Sequence, residues 1–396
     1  LSETEPSGVQ SVRFFHHGGS VAGMFGTDRK DRRVRIRSVC FWCLLFLTAV
    51  VLQVLARQVP GFAEWYAKSV YPGLMRFLGG ISDPFPFALD EILIGLMTCV
   101  AVVYSVWGMI RIWKREIRIR RWGFDTFRRL LKIGIVWIFA FTVTCGINYH
   151  RTPFSSLAGL PMEPSTVEEL EELCLWLTEE IEKAGALVKV GEDGLTALPE
   201  GLAEKTRDAM QAIGEQYPGL AGWYPRAKPV LAWKVLSLEF LEGIFGPYTM
   251  EAHYNPDIPA YNQPAVLCHE LSHLRGFMRE DEANYIAYLA CSGSEDVNIR
   301  YSGLLLAYTH SINALYKADY ERFAEVRSLL CEQANRDYAY HRAYWAQYEG
   351  PVSELSDKIN DTYLRVNAQQ EGSRSYGRMV DLLLGAYRRQ KKAETG

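Results

Sequence analysis

The chain has 396 residues, 22% of them charged, with a formal net charge of -3 at pH 7. That balance creates no global basic field, which argues against a nucleic-acid partner. The length allows two or three domains, and the apolar residues crowd into the first 150 positions, where basic clusters flank them as in membrane proteins.

Residues 1–28 are rich in Gly and Ser, lack hydrophobic periodicity and are expected to be unstructured, with Met24 a candidate natural start. Residues 1–37 thus form a basic N-terminal segment. The run Ser38–Leu55 carries no charge, nor does Ile92–Ile110. A third run, Ile133–Ile147, reaches useful length if it begins at Leu130 and Lys132 snorkels. A helix needs about 17–25 apolar residues to cross a bilayer core, so spans are predicted over 38–55, 92–110 and 130–147. Together they make a three-span anchor over 38–147, with the lipid bilayer as its partner.

Loop charge sets the expected orientation. Arg29, Lys30, Arg32, Arg33, Arg35 and Arg37 precede the first span, and the 111–132 loop is densely basic. The loop between the first two spans has only Arg57, Lys68 and Arg76, against Glu64, Asp83, Asp90 and Glu91. The positive-inside rule therefore puts the N-terminus and the 111–132 loop in the cytoplasm, and residues 148–396 outside the cell membrane. Residues 61–80, with Trp65, Tyr66, Tyr71 and Phe77, read as an interfacial segment on the outer face.

Residues 148–396 read as mainly helical. An amphipathic pattern predicts a helix over 168–183, opened by a capping box of Ser165 and Glu168. Further helices are expected near 199–214, 230–241, 297–317, 318–333, 335–348, 352–366 and 376–390, with a strand over Tyr248–Asn255. Cys174, Cys268, Cys291 and Cys331 lie in this part, and none of these four forms a CxxC pair. A disulfide among those four stays open if the domain is exported.

The chemistry concentrates in Asn262–Cys291. His269 and His273 stand four apart, which on a helix puts both imidazoles on one face, able to share a metal. Glu270 then lies near the metal without binding it, placed to move protons as a general base and acid. Pro264 suits the first helical turn, and Gly276 suits a left-handed stop. Cys268, on the other side of the helix, is expected to be packed. The carboxylates Glu280, Asp281 and Glu282 follow the turn; they also make good first-turn residues for a helix dipole.

Glu280-Asp281-Glu282-Ala283-Asn284 resembles the E-x-x-x-D/N element of the glutamate-zincins, the thermolysin-like metallopeptidases and their membrane relatives. The resemblance implies Glu280 as third ligand of one Zn2+ and Asn284 as the residue that orients a ligand histidine from behind. The connection from His273 to Glu280 is much shorter than in thermolysin, so Glu282 stands as the alternative ligand, otherwise as a supporting neighbour. GINYHR (146–151), GPYTMEAHYN (246–255), His269–Cys291 and SYGRMVDLLL (375–384) together resemble a bacterial membrane family catalogued as domain of unknown function 3810. That resemblance implies three spans followed by an HExxH domain and supplies no substrate.

The expected fold is therefore mainly α: three N-terminal transmembrane helices, then an α-rich zincin-like domain with a small strand element. The expected function is a membrane-anchored zinc metallopeptidase, an endopeptidase acting on extracytoplasmic peptides or envelope proteins. Tyr248–Asn255 is the expected edge strand for a bound peptide. His253, Tyr308 and His310 are the available types for stabilising an oxyanion, with His310 preferred. The alternatives are a zincin-fold membrane sensor or regulator and a non-catalytic scaffold. Transport is disfavoured, because the apolar runs contain no charged residue.

Overall fold

The computed structural model describes residues 21–351, then 353, 355, 356, 358, 359 and 362, and 378–395. The expected unstructured residues 1–20 and most of the helix expected over 352–366 lie outside these. Helix α1, Val21–Gln58, begins within the stretch expected to lack structure. It is followed by α2 (Phe62–Ser69), α3 (Tyr71–Ser82), α4 (Leu89–Trp113) and α5 (Ile119–Thr144).

Two helical stretches among the described residues, Ile36–Gln58 and Leu89–Trp113, are long and apolar enough to cross a membrane. Only 11% and 6% of their most apolar windows are buried in protein, so neither is a core helix of the domain. Side chains such as Leu44, Leu47, Ile94 and Val103 point outward, and a bilayer removes that cost.

The third expected span, 130–147, is corrected. Helix α5 opens with Arg120, Arg121, Arg128, Arg129 and Lys132, and its uncharged part, Ile133–Thr144, is about 18 Å of helix against a core of about 30 Å. Its last turn is already inside the domain, with Thr142 and Thr144 buried, and a 3-10 turn, Gly146–His150, continues it. Helix α5 packs on α1, with the Lys132 ammonium 5.4 Å from the Trp42 ring, and touches α4 near its own start, where Tyr104 and Trp122 stack.

Residues 61–80 also contribute to the domain. Their amphipathic faces bury Ala63, Tyr66, Ala67, Tyr71 and Met75 in the domain core, leaving Trp65 and Phe77 exposed. Arg151 pairs with Glu64 at 3.2 Å, tying α2 to the segment after α5. The expected boundary at 147/148 thus separates segments that pack together.

The rest of the chain forms α6 (Phe154–Ala158), α7 (Val167–Gly185), α8 (Leu202–Gln216), β1 (Lys228–Pro229), α9 (Trp233–Leu238), β2 (Gly243–Gly246), β3 (Glu251–Tyr254), α10 (Gln263–Leu274), α11 (Glu280–Ser292), α12 (Val297–Ala318), α13 (Tyr320–Ser328), α14 (Glu332–Ala346) and α15 (Arg378–Thr395). The capping box of α7 is Thr166 with Glu169, one residue beyond the expected pair. The helix expected over 230–241 shortens to α9, because Phe240 at φ 57 turns the chain into β2. The sheet runs β1-β3-β2, with β3 parallel to β1 and antiparallel to β2.

Strand β3 is therefore central, flanked on both sides, and the expected edge strand is instead β2. Glu242 O accepts Asn255 N–H, so residues 242, 244 and 246 turn their backbone groups to β3. By alternation, those of Gly243 and Phe245 face the open edge. Helix α10 is buried on nearly all sides, enclosed by α8, α11, α12 and the sheet. All eight cysteines are free thiols; Cys268 is buried, as expected, with its sulfur 3.6 Å from that of Cys291.

Candidate metal centre

The helix that carries the two histidines ends where the sequence places its stop. Gly276 has φ +81, its N–H donates to His273 O, and Phe277 N–H donates to Ser272 O. This is the double closure of a left-handed C-cap. A side chain at 276 would meet Asn148 at 2.9 Å, so glycine is needed for space as well as for φ. Arg151 donates to Arg275 O at 3.0 Å, and Arg279 donates to the carbonyls of Tyr149 and Arg151. These contacts fix the short connection that brings Glu280 back over the histidines.

His269, His273 and Glu280 converge. The two Nε2 atoms are 3.1 Å apart, His269 Nε2 is 3.2 Å from Glu280 Oε2, and His273 Nε2 is 3.8 Å from Glu280 Oε1. Tetrahedral ligands about 2.0–2.1 Å from zinc sit about 3.3 Å from one another, so the spacing fits one such ion. The far nitrogens are held as well. His273 Nδ1 donates to Phe277 O at 2.8 Å, and His269 Nδ1 lies 2.8 Å from Asn284 Oδ1. Both bonds turn the Nε2 lone pairs inward, where they repel each other unless a cation or a proton lies between them.

The ionisation pattern reflects that crowding. Burial pulls His269 down, but the hydrogen bond and charge of Glu280 outweigh it and hold the imidazole at about 9. Burial and the His269 charge hold His273 at about 4, against the pull of Glu280. Burial also pushes Glu270 up to about 8.

A cleft of about 770 Å³ opens beside these groups, and His269, Glu270, His273, Glu280, Asn284 and His310 all line it. Glu282 is not brought to the histidines: its Oε1 accepts Phe154 N–H at 2.9 Å and Arg279 at 2.7 Å, so it clamps the chain after the 3-10 turn to α11. Tyr308 is buried in the core away from the cleft lining.

His253 lies on β3 in a separate cluster with Asp90 and Glu251. There the Lys228 ammonium, 2.5 Å from Glu251, already supplies the positive charge, and Leu89 N–H and Asp90 N–H donate to the same carboxylate.

Three contributors to the cleft were not among the site residues expected from the sequence. Gly243 on β2 lies so close to Glu270 that a Cβ there would be 2.6 Å from Oε1. Glu242, beside it, is raised by burial and drawn back by Asn262 and His269. Tyr149, from the 3-10 turn, lines the same space. The spacing of Gly243 from the HExxH helix says nothing of their contact, which depends on sheet register.

The chain belongs to the family described as protein of unknown function (DUF3810), which it matches over residues 66–384. No curated protein and no solved structure matches it.

Proposed function

We propose that this DUF3810 chain is a membrane-anchored zinc metallopeptidase that hydrolyses peptide bonds in extracytoplasmic peptides or envelope proteins. The observation that carries the reading is the convergence of His269, His273 and Glu280 beside Glu270 at the wall of an open cleft. These three residues would hold the ion, and Asn284 and the Phe277 carbonyl would keep its histidines oriented. Zinc bound there supplies Lewis acidity toward a water and a substrate carbonyl.

Glu270 takes the proton of the attacking water and returns it to the leaving amine. Gly243 leaves the space in which that carboxylate sits. His310, on α12 at the same cleft, is the proposed donor to the developing oxyanion. The outward backbone groups of Gly243 and Phe245 offer an extended peptide an edge to pair with.

The proposed setting is the bacterial cell membrane, with the N-terminus and the 111–132 loop cytoplasmic and the cleft outside. Residues 62–91 and 145–151 pack in one domain and so stand on the same side of the membrane in this setting.

Elemental analysis of the full-length protein in detergent tests the metal, with His269→Ala alongside. About one zinc per chain, lost in the variant, is the expected result; no zinc after zinc is supplied would overturn the reading. Peptide hydrolysis that disappears in Glu270→Gln while zinc stays bound tests the chemistry.

A further inference from the structure

The cleft holds two carboxylates that the proposed reaction does not use. Glu242 immediately precedes Gly243, at which a Cβ would press on Glu270, and its carboxyl lies near the Asn262 side chain within reach of the His269 charge. Glu239 lines the same cleft three residues earlier. The segment between them is held by an uncommon turn. Phe240 sits in the left-handed region at φ 57, Phe240 N–H donates to Ser237 O, Leu241 N–H donates to Leu236 O, and the Phe240 ring lies 5.0 Å from Trp345. A bulky residue is rarely left in that conformation, and here it presents an acid on either side of itself to the cleft. Among the described residues no Lys or Arg lines this cleft to neutralise them.

We infer that Glu239 and Glu242 form a subsite for a positively charged substrate residue, so that the cleft selects peptides with Lys or Arg near the scissile bond. The inference rests on the peptidase reading and adds a substrate class to it. Half-buried carboxylates at the wall of a confined cleft gain most from a cation that arrives with the ligand. They gain little from an apolar side chain and repel an acidic one. Glu242 is well placed for this: it adjoins the open edge of β2 on one side and the histidine helix on the other.

The test uses the full-length protein in detergent with zinc, and three decapeptides that differ only at a central Lys, Leu or Glu. The Lys peptide is expected to be cleaved about tenfold faster than the Leu peptide, a difference of about 1.4 kcal/mol, with the Glu peptide slowest. Glu242→Gln, which keeps a polar partner for Asn262, and Glu239→Gln should each bring the Lys rate toward the Leu rate. Equal rates for all three peptides in an active wild type would overturn the subsite and leave the peptidase reading standing. Should no peptide be cleaved, the peptidase reading falls, and binding of the same labelled peptides to Glu270→Gln decides the subsite. Binding graded Lys over Leu over Glu, and lost when Glu242→Gln is added, retains it; equal binding removes it.

Discussion

The protein contains two trios of histidine and carboxylate groups, and they have opposite characters. At the cleft, His269, His273 and Glu280 turn their donor atoms on one another, and among the described residues no Lys or Arg lines the site. At the sheet, Asp90, Glu251 and His253 gather in a similar way, but Lys228 is in contact with Glu251, and the start of α4 donates two backbone N–H groups to the same carboxylate. Residue type alone does not separate the two. What separates them is whether a lysine ammonium already sits on the carboxylate. The second trio reads as a fastening between the apolar helix α4 and the sheet, and the first as a site left open to a cation.

Several substitutions sharpen that contrast. The largest expected effect is at Glu270. Glu270→Gln should lower peptide hydrolysis by about 10²–10⁴-fold with zinc content unchanged, measured by turnover and elemental analysis on one preparation. Loss of zinc in that variant would show that Glu270 holds the metal rather than moving protons.

Next is Lys228→Met, which strands the buried Glu251 charge. Stability should fall by about 3–5 kcal/mol, read as a drop in the thermal midpoint, with the zinc stoichiometry of the surviving folded protein unchanged. Metal loss in parallel with wild-type stability would reverse the roles assigned to the two trios. Asn284→Ala comes third, because it frees His269 to rotate; zinc affinity should weaken about 10–100-fold by competition with a chelator. An unchanged affinity would make Asn284 a packing residue only.

The smallest expected effect is in the acid range. Burial pushes Glu251 up, but its bonds to His253, Lys228 and Leu89 N–H outweigh that and hold it at about 2. A carboxyl held lower in the folded state stabilises the fold above its unfolded value of about 4.3 and loses that contribution as pH falls toward about 2. Thermal midpoints measured between pH 5 and 2 should therefore fall less steeply in Glu251→Gln than in the wild type.

The parts of the molecule legible from sequence are those in which the chemistry is local. His269 and His273 share a helix face because they are four residues apart, Gly276 can close the helix because it tolerates positive φ, and Glu280 and Asn284 repeat the four-residue spacing on the next helix. The first two apolar helices are equally plain, since length and absence of charge are all that crossing a bilayer demands. The resemblance to the DUF3810 family rests on 146–151, 246–255, 269–291 and 375–384, all within the matched residues 66–384.

Other features depended on partners far along the chain. Tyr71 is buried against the histidine helix, its hydroxyl donating to His273 O across 202 positions, though its own neighbourhood reads as an interfacial segment. The choice of Glu280 over Glu282 turned on Arg279 and Phe154 N–H, which draw the Glu282 carboxylate away. Strand order made β2 the edge and β3 the centre, and so put Gly243 against Glu270.

The sequence by itself determined which side chains could share a helix face, where that helix stops, and which stretches are too apolar for water. Each of these follows from the fixed rise and twist of one local element. Only the tertiary structure decided which carboxylate meets the histidines, which trio already has its ammonium, and which strand keeps a free edge. Those outcomes depend on charges and backbone groups brought together from distant positions, and no local period encodes that meeting.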